Sequence, residues 1–481
     1  MSSGMMPSGQ ASSGQASSGR MLSGMGVEDE VWALLDDALA VYRDSPRAVA
    51  WLRGHQARFG EPVRVAVAGA PRSGKSTVVS ALIGEEFVPT GATTWYQDGP
   101  QAKAYVGQYE VPIARRDGKA FVDVPDAERV VVEWPSRSLR DLTLIDTPAG
   151  TPVEHVYGEA DAVLYLTRHM HTTDLQYLQT AHDHPVARVA PVNTVLVLAR
   201  ADEIGGGRID ALSSAKQIAR RYRREAAVAP LCQNVVSVAG LLAVAARTVR
   251  ADEFTALAAL ASLARTELDE HLLSADRFVG DDFPVRLDPA VRRALVERFG
   301  IFGVRLTTTL IRQGFDTQVK LTGQLVQRSG LGELRDSIGI YFTERREVLK
   351  ARAALLGLDV VLRAEPRPGS AGLAAALERI LASAHEFREL RLLAALQGGR
   401  TRLPGELDAE ASRLVGGLGT DPLVRLGMDY EPTEGELRHA LLDTLGRWRD
   451  HSANPALDHG QRRAASVVVR SCEGMLTQLV G

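Results

Sequence analysis

The sequence predicts an α/β phosphate-loop head on a mostly parallel sheet, joined to a large α-helical bundle formed by helices from both chain ends. Three observations carry that reading. Short apolar, β-branched runs alternate with helix-like segments between residues 63 and 238, the pattern of a parallel sheet. A glycine-rich stretch, residues 69–77, lies between the first of these runs and a helical pattern. Beyond about residue 240 the strand signals stop, and apolar residues recur at three and four.

In chain order, residues 1–26 are mostly Ser, Gly, Met and Gln. Such a stretch buries too little apolar surface to offset its ordering entropy, so a flexible tail is expected. Helical patterns over 27–43 and 46–58 come next, parted at Ser45-Pro46, where proline suits a first helical turn. Residues 63–68 form the first strand pattern, and further short runs at 143–145, 162–166, 194–198 and 235–238 supply others. Leu257, Leu260, Ala264, Leu268 and Leu272 mark one amphipathic helix. Leu334, Tyr341, Val348, Leu355 and Leu362 recur every seven, with Leu331 and Ile338 filling the seam, and Leu373, Leu377, Ile380, Ala384 and Phe387 give another face. The expected division is a tail (1–26), bundle helices (27–61), the head with helical insertions (62–342) and the rest of the bundle (343–481).

Composition narrows the function classes. With 45% hydrophobic and 24% charged residues the chain is an ordinary globular protein. A formal charge of −3 gives no electrostatic case for nucleic acid. Two cysteines, Cys232 and Cys472, make no disulfide framework, so a reducing cytosol is expected. No apolar run approaches the roughly 20 residues a bilayer span needs, and the N-terminus lacks a secretory pattern. A peripheral membrane protein fits; a spanning one does not.

Residues 69–77, Gly-Ala-Pro-Arg-Ser-Gly-Lys-Ser-Thr, match the phosphate loop in full. Gly69 and Gly74 let the backbone wrap closely, and successive N–H groups, including those of Ser73 and Thr77, are expected to face the phosphates. Lys75 reaches their outer oxygens, and the Ser76 hydroxyl is placed to ligate Mg²⁺. Arg72 stands where an arginine finger supplied in cis would fold over the phosphates, or where a solvated loop arginine would sit. Asp146 ends the apolar strand 142–146, as expected of the carboxylate that holds the Mg²⁺ hydration shell. Asp146-Thr147-Pro148 is similar to the third GTPase motif, with Ala149 at the glycine position. Arg200-Ala201-Asp202 comes after a strand and nearly matches the base-reading motif: Asp202 would accept two hydrogen bonds from guanine, with Arg200 along the ring. Ser237 ends the next strand where a looser fifth motif is expected. The switch threonine lies among Thr90, Thr93 and Thr94, the latter two taken with Arg72 as the catalytic candidates. The pair His169 and His171 reads as a solvated loop.

At these residues, and at 201–211, 238–248, 297–305, 328–335 and 349–352, the chain resembles the bacterial dynamin-like GTPases of the actinobacterial isoniazid-inducible type. The resemblance runs from about residue 30 to the C-terminus. It implies GTP and GDP with Mg²⁺, a neck and trunk built by helices from both chain ends, and self-association through the heads. It further implies bending or fusion of the cytoplasmic membrane from its inner face. The expected setting is the division septum or envelope stress, with a homo-oligomer or a hetero-oligomer with a sister dynamin-like protein. The chain departs from the family at Ala149 and in lacking an arginine after Thr90, Thr93 or Thr94. Two alternatives arise from this: a hydrolysis-poor partner of a second dynamin, or a soluble signalling GTPase without lipid contact. If the last long helices form a trunk hairpin, residues 363–372 are its tip. The apolar stretch 355–362 then either inserts shallowly in lipid or serves as bundle core.

Overall fold

The computed structural model describes residues 26–124, 127–183 and 193–480; the expected tail lies almost wholly outside them. Its centre is a nine-stranded sheet. The strands are β1 (Val63–Gly69), β2 (Thr93–Asp98), β3 (Lys103–Val106), β4 (Tyr109–Val111), β7 (Arg129–Trp134), β8 (Leu142–Asp146), β9 (Ala162–Thr167), β10 (Thr194–Ala199) and β11 (Asn234–Val238). Their order is β11-β10-β9-β1-β8-β2-β7-β3-β4, and β5 (Ile113–Arg116) with β6 (Lys119–Val122) forms a separate ribbon. From β11 to β8 every pairing is parallel, whereas β2 runs antiparallel to β8. The parallel strands are buried on both faces, which is why they read as continuous apolar runs. Between residues 98 and 129 the strands are too short for such a run, three or four residues each, and β5 and β6 carry Arg115, Arg116 and Lys119.

Among the described residues up to 183 the α-helices are α1 (Val27–Val41), α2 (Pro46–Arg58), α3 (Lys75–Ile83), α4 (Val153–Glu159) and α5 (Thr172–His182). Val63, Val65 and Val67 of β1 pack on Val78, Val79 and Leu82 of α3, while Ala66 and Ala68 face the opposite cluster. The alternation of a strand thus decides which side chains meet α3. The helical bundle joins the N-terminal helices to helices that follow the head in sequence. Val31, Leu35 and Leu52 of α1 and α2 share a core with Leu355 and Leu358 of the helix Arg346–Ala364 and Leu377 of the helix Ser370–Ser383. Ser45 caps α2 by accepting from the Ala48 N–H, and that bond fixes the α1–α2 turn. Helices from 385 onward join another cluster, in which Leu393, Trp448 and Val468 are continuous with the α3 face of the sheet.

Three helical faces behave differently from their periodicity. Leu257 to Leu272 share one buried face, yet two helices carry it, Ala251–Ala261 and Arg265–His271. The heptad from Leu331 to Leu362 crosses a π turn at Gly339–Thr343, and the face from Leu373 to Phe387 breaks at Ala384, with ψ of 121°. Apolar spacing reports the buried face, not the continuity of the backbone beneath it.

The shallow-insertion reading of 355–362 does not hold. Leu355, Leu358 and Leu362 are buried in the bundle and only Val360 is well exposed. The turn after them is tied down as well: the Tyr42 hydroxyl donates to the Glu365 carbonyl at 2.8 Å, and Arg367 pairs with Asp44. Exposed Arg43, Arg47 and Arg363 surround that end. No helix among the described residues is long and apolar enough to cross a membrane.

The bundle meets the head at a hydrogen-bonded joint. Arg58, at the end of α2, pairs with fully buried Asp161 at 2.7 Å and donates to the carbonyls of Gly158 and Glu159. Lys350 Nζ donates to the Phe59 carbonyl at 3.1 Å.

Candidate functional site

The phosphate loop leaves β1 at the centre of the sheet, where connections diverge to β8 on one side and β9 on the other; ligands of open α/β sheets bind at such a point. Gly69 has φ of 140°, and a Cβ there would stand 2.1 Å from the Leu166 carbonyl oxygen, so only glycine fits. Gly74, at φ 94°, caps α3 in the left-handed region and aims the helix N-terminus into the loop. Lys75 is buried and donates to the carbonyls of Gly69 and Ala70 at 3.0 and 3.2 Å. Burial holds its ammonium below the ordinary lysine range, partly opposed by Asp146. Ser73 Oγ is buried with no hydrogen-bond partner. Arg72, with φ of 60°, is exposed and makes no hydrogen bond or ion pair among the described residues.

Asp146 ends β8 directly beside this loop. Burial pushes its carboxyl up to about 6, with the Ser76 hydroxyl and the Lys75 ammonium partly offsetting the rise. Its Oδ1 is buried and unpartnered. A buried orphaned carboxylate oxygen next to a serine hydroxyl is an oxygen donor set that suits Mg²⁺. Thr94 stands opposite Asp146 in the β2–β8 register, is buried, and shares a 2.8 Å hydrogen bond with Thr90. Thr93, one residue away, points to the other face of the sheet, into a cavity also lined by Arg129, Thr147 and His155. After Asp146 the Thr147 hydroxyl donates to the Val67 carbonyl at 2.8 Å, Ala149 is exposed, and Gly150 takes φ of 84°.

Across α3 from Asp146 lies a cavity of about 80 Å³ lined by Ser73, Gly74, Thr77, Arg200, Asp202 and Gly240, among others. Asp202 is buried, and burial raises its carboxyl above the ordinary range. Arg200, at φ 54°, pairs with Glu203, which also binds Arg168. Burial alone would raise the Glu203 carboxyl, but the two arginines hold it below its usual range. Ser237 sits inside β11, where a Cβ on Gly330 would come within 2.0 Å of its carbonyl oxygen. Gly240 and Leu241, rather than Ser237, line the cavity wall. A Cβ on Gly240 would approach the Thr77 methyl to 3.2 Å, which brings the two elements close.

The structure therefore gathers Gly69 to Thr77, Asp146, Arg200, Asp202 and Thr94 around one trough and leaves Thr93 and Ser237 outside it. Gly240, Leu241 and Glu203 were not legible in the sequence; a glycine opening a helix after a strand was the signal available for the first. His169 and His171 are both exposed in the β9–α5 loop, and no group of three potential metal ligands occurs among the described residues.

Comparison with known proteins agrees with the sequence. Two relatives, both the isoniazid-induced protein IniC of Mycobacterium tuberculosis from different strains, are 36% identical over 489 aligned residues, covering 94% of this chain and 99% of theirs. No family model matches. Among solved structures, chains of an oligomerised bacterial dynamin pair, described as sensing and tethering membranes over long range, align over 94% of this chain and 74% of theirs. They share 11% identity, with a TM-score of 0.29, too loose a superposition to support an argument.

Proposed function

Because the chain belongs to the family of the isoniazid-induced protein IniC, we propose that it is a dynamin-like guanine-nucleotide-binding protein whose head couples nucleotide state to the helical bundle. One observation carries the reading: a complete phosphate loop faces buried Asp146, whose Oδ1 is unpartnered, on one side and the buried Asp202 on the other. The first arrangement suits a triphosphate, the second a base that offers two donors. Backbone N–H groups of the loop and the α3 N-terminus would hold the phosphates, and Lys75 would leave its loop carbonyls for their outer oxygens. Ser76 and Asp146 would hold Mg²⁺, which supplies charge neutralisation of the phosphates when bound. Asp202 would accept from the guanine edge while Arg200, fixed by Glu203, lies along the ring.

Thr94 and Thr90 share the face of Asp146, so of the switch candidates they are better placed than Thr93 to sense the outer phosphate. Lipid contact would be peripheral. The bundle end with exposed Arg43, Arg47 and Arg363 offers cationic side chains to anionic headgroups, and assembly of several copies would multiply that weak grip. The test is GTP turnover of the full chain across protein concentrations, with and without anionic liposomes, together with co-sedimentation. Turnover and pelleting should both rise; flat turnover with no pelleting refutes the proposal.

A second reading is favoured by Ala149 and by the absence of an arginine after Thr94. The chain would then bind nucleotide with little hydrolysis and act as the regulatory subunit of a sister dynamin-like protein. Tight GTP binding without turnover, reversed by adding that sister protein, would select it.

A further inference from the structure

Between the head and the bundle lies a further cavity, of about 200 Å³, that shares no lining residue with the cavity at Arg200 and Asp202. The bundle side contributes Trp51, Ala353, Leu356 and Val360, and the head side Val153 and Ala181 of α4 and α5. Its walls are mainly apolar, with His55, Glu154, Tyr157 and Thr180 among the polar residues on them. Arg352, from the helix Arg346–Ala364, also lines the cavity and is 2% exposed.

The other deeply buried arginines each have at least one partner, although the Nε of Arg58 and of Arg425 is unpartnered too. Arg58 has Asp161, Arg425 has Glu389, Arg292 has the carbonyls of Phe278 and Gly280, and Arg345 has that of Gly416. Arg352 makes no hydrogen bond or ion pair among the described residues, and its Nε is buried without a partner. Burial draws its guanidinium down to about 10, so it stays charged at neutral pH. An unpaired buried cation is costly to keep. Nearby groups do not discharge it. His55 is held neutral, at about 3, by burial and by Arg58 and Arg64. The Tyr157 hydroxyl is engaged with Thr194 at 2.9 Å, and Glu154 is an exposed, solvated carboxylate at the rim.

We propose that this cavity is a binding site for a small amphipathic carboxylate, its anionic head on the Arg352 guanidinium and its apolar body against Trp51, Leu356 and Val153. A guanidinium fork matches a carboxylate bidentately, and the apolar walls favour a hydrocarbon body over a bare inorganic anion. The site stands independently of the nucleotide reading.

The experiment is calorimetric titration of the nucleotide-free full chain with sodium octanoate, sodium acetate and 1-octanol. Octanoate binds saturably and raises the melting midpoint; acetate and octanol each bind at least about tenfold more weakly, since each lacks one half of the recognition. Arg352→Met keeps the fold and loses the octanoate response. Leu356→Trp, which fills the cavity and leaves Arg352 in place, loses it too. Absence of octanoate binding to the native chain overturns the proposal, as does equal binding to Arg352→Met or equal binding of octanol.

Discussion

Asp202→Asn tests the base-reading end of the trough most sharply. Asp202 is 8% exposed, and its burial already disfavours the carboxylate, so a neutral isostere should leave the fold at least as stable. The effect on binding is large because each hydrogen bond to a charged acceptor contributes about 1.5–3 kcal/mol. Asparagine keeps one acceptor but turns an N–H₂ toward a guanine donor, so one charged bond is lost and two donors oppose each other. The expected loss is about 2–4 kcal/mol, or roughly thirty- to a thousandfold in affinity at about 1.4 kcal/mol per decade. Xanthine carries a carbonyl where guanine carries its amino group, so the asparagine amide becomes its partner and XTP affinity should rise. Fluorescence titration with labelled GTP and XTP reads both changes, and thermal melting reads the fold. GTP affinity retained within about threefold in a fully folded variant, with no gain for XTP, would refute the assignment of the base site.

Lys75→Ala removes two charge-assisted contacts to phosphate and should weaken GTP binding by about a hundredfold or more in the same titration. Arg72→Ala should slow single-turnover hydrolysis by about a thousandfold while affinity changes by less than about tenfold, the signature of a group used mainly in the transition state. Arg58→Ala leaves the Asp161 carboxylate buried and unpaired at the joint, at a cost of about 3–5 kcal/mol. Hydrogen exchange should then show α2 and α4 opening together, and opening of α2 alone would argue against a shared joint. In the helix His385–Gln397, Glu389 is held at about 2 against an ordinary 4.5: burial would raise it, but the His385 contact and the Arg425 pairing outweigh that. Its carboxylate therefore contributes about 3 kcal/mol of stability above pH 4.5 that is lost as the pH falls toward 2. Glu389→Gln should flatten this acid limb in denaturation curves and destabilise the chain at pH 7 through the unpaired Arg425.

What the sequence disclosed and withheld depends on how local each feature is. The phosphate loop was legible whole because its function resides in consecutive backbone N–H groups and one adjacent lysine. Asp146 and Asp202 were legible because each stands at the end of an apolar strand or just beyond it. Thr93 and Thr94 could not be separated, since the choice between them is made by the β2–β8 register, which sets Thr94 opposite Asp146. Ser237 drew attention as a polar strand end, yet strand geometry keeps it within the sheet and hands the cavity to Gly240 and Leu241, three and four residues on. Breaks at 262–264, 339–345 and 384 left no trace in the apolar spacing, because the helices on either side serve one core. The Arg58–Asp161 pair joins residues a hundred positions apart, and nothing in either neighbourhood announces it.

In the proposed function, that pair is the contact by which a site at the head would bear on the bundle. The segment after Asp146 is anchored by Thr147 to the Val67 carbonyl of β1, passes exposed Ala149 and Gly150, and enters α4 at Val153. The last carbonyls of α4, those of Gly158 and Glu159, accept from Arg58 of α2, and α2 packs along the helix Arg346–Ala364 in the bundle core. The path from Asp146 to the bundle is thus one short loop and a seven-residue helix. A rigid α4 passes on whatever its first turn does, because its only soft part is the loop before it. Alanine in place of glycine at position 149 stiffens that loop, so on the proposed reading Ala149→Gly should increase both GTP turnover and the exchange of α4 amides.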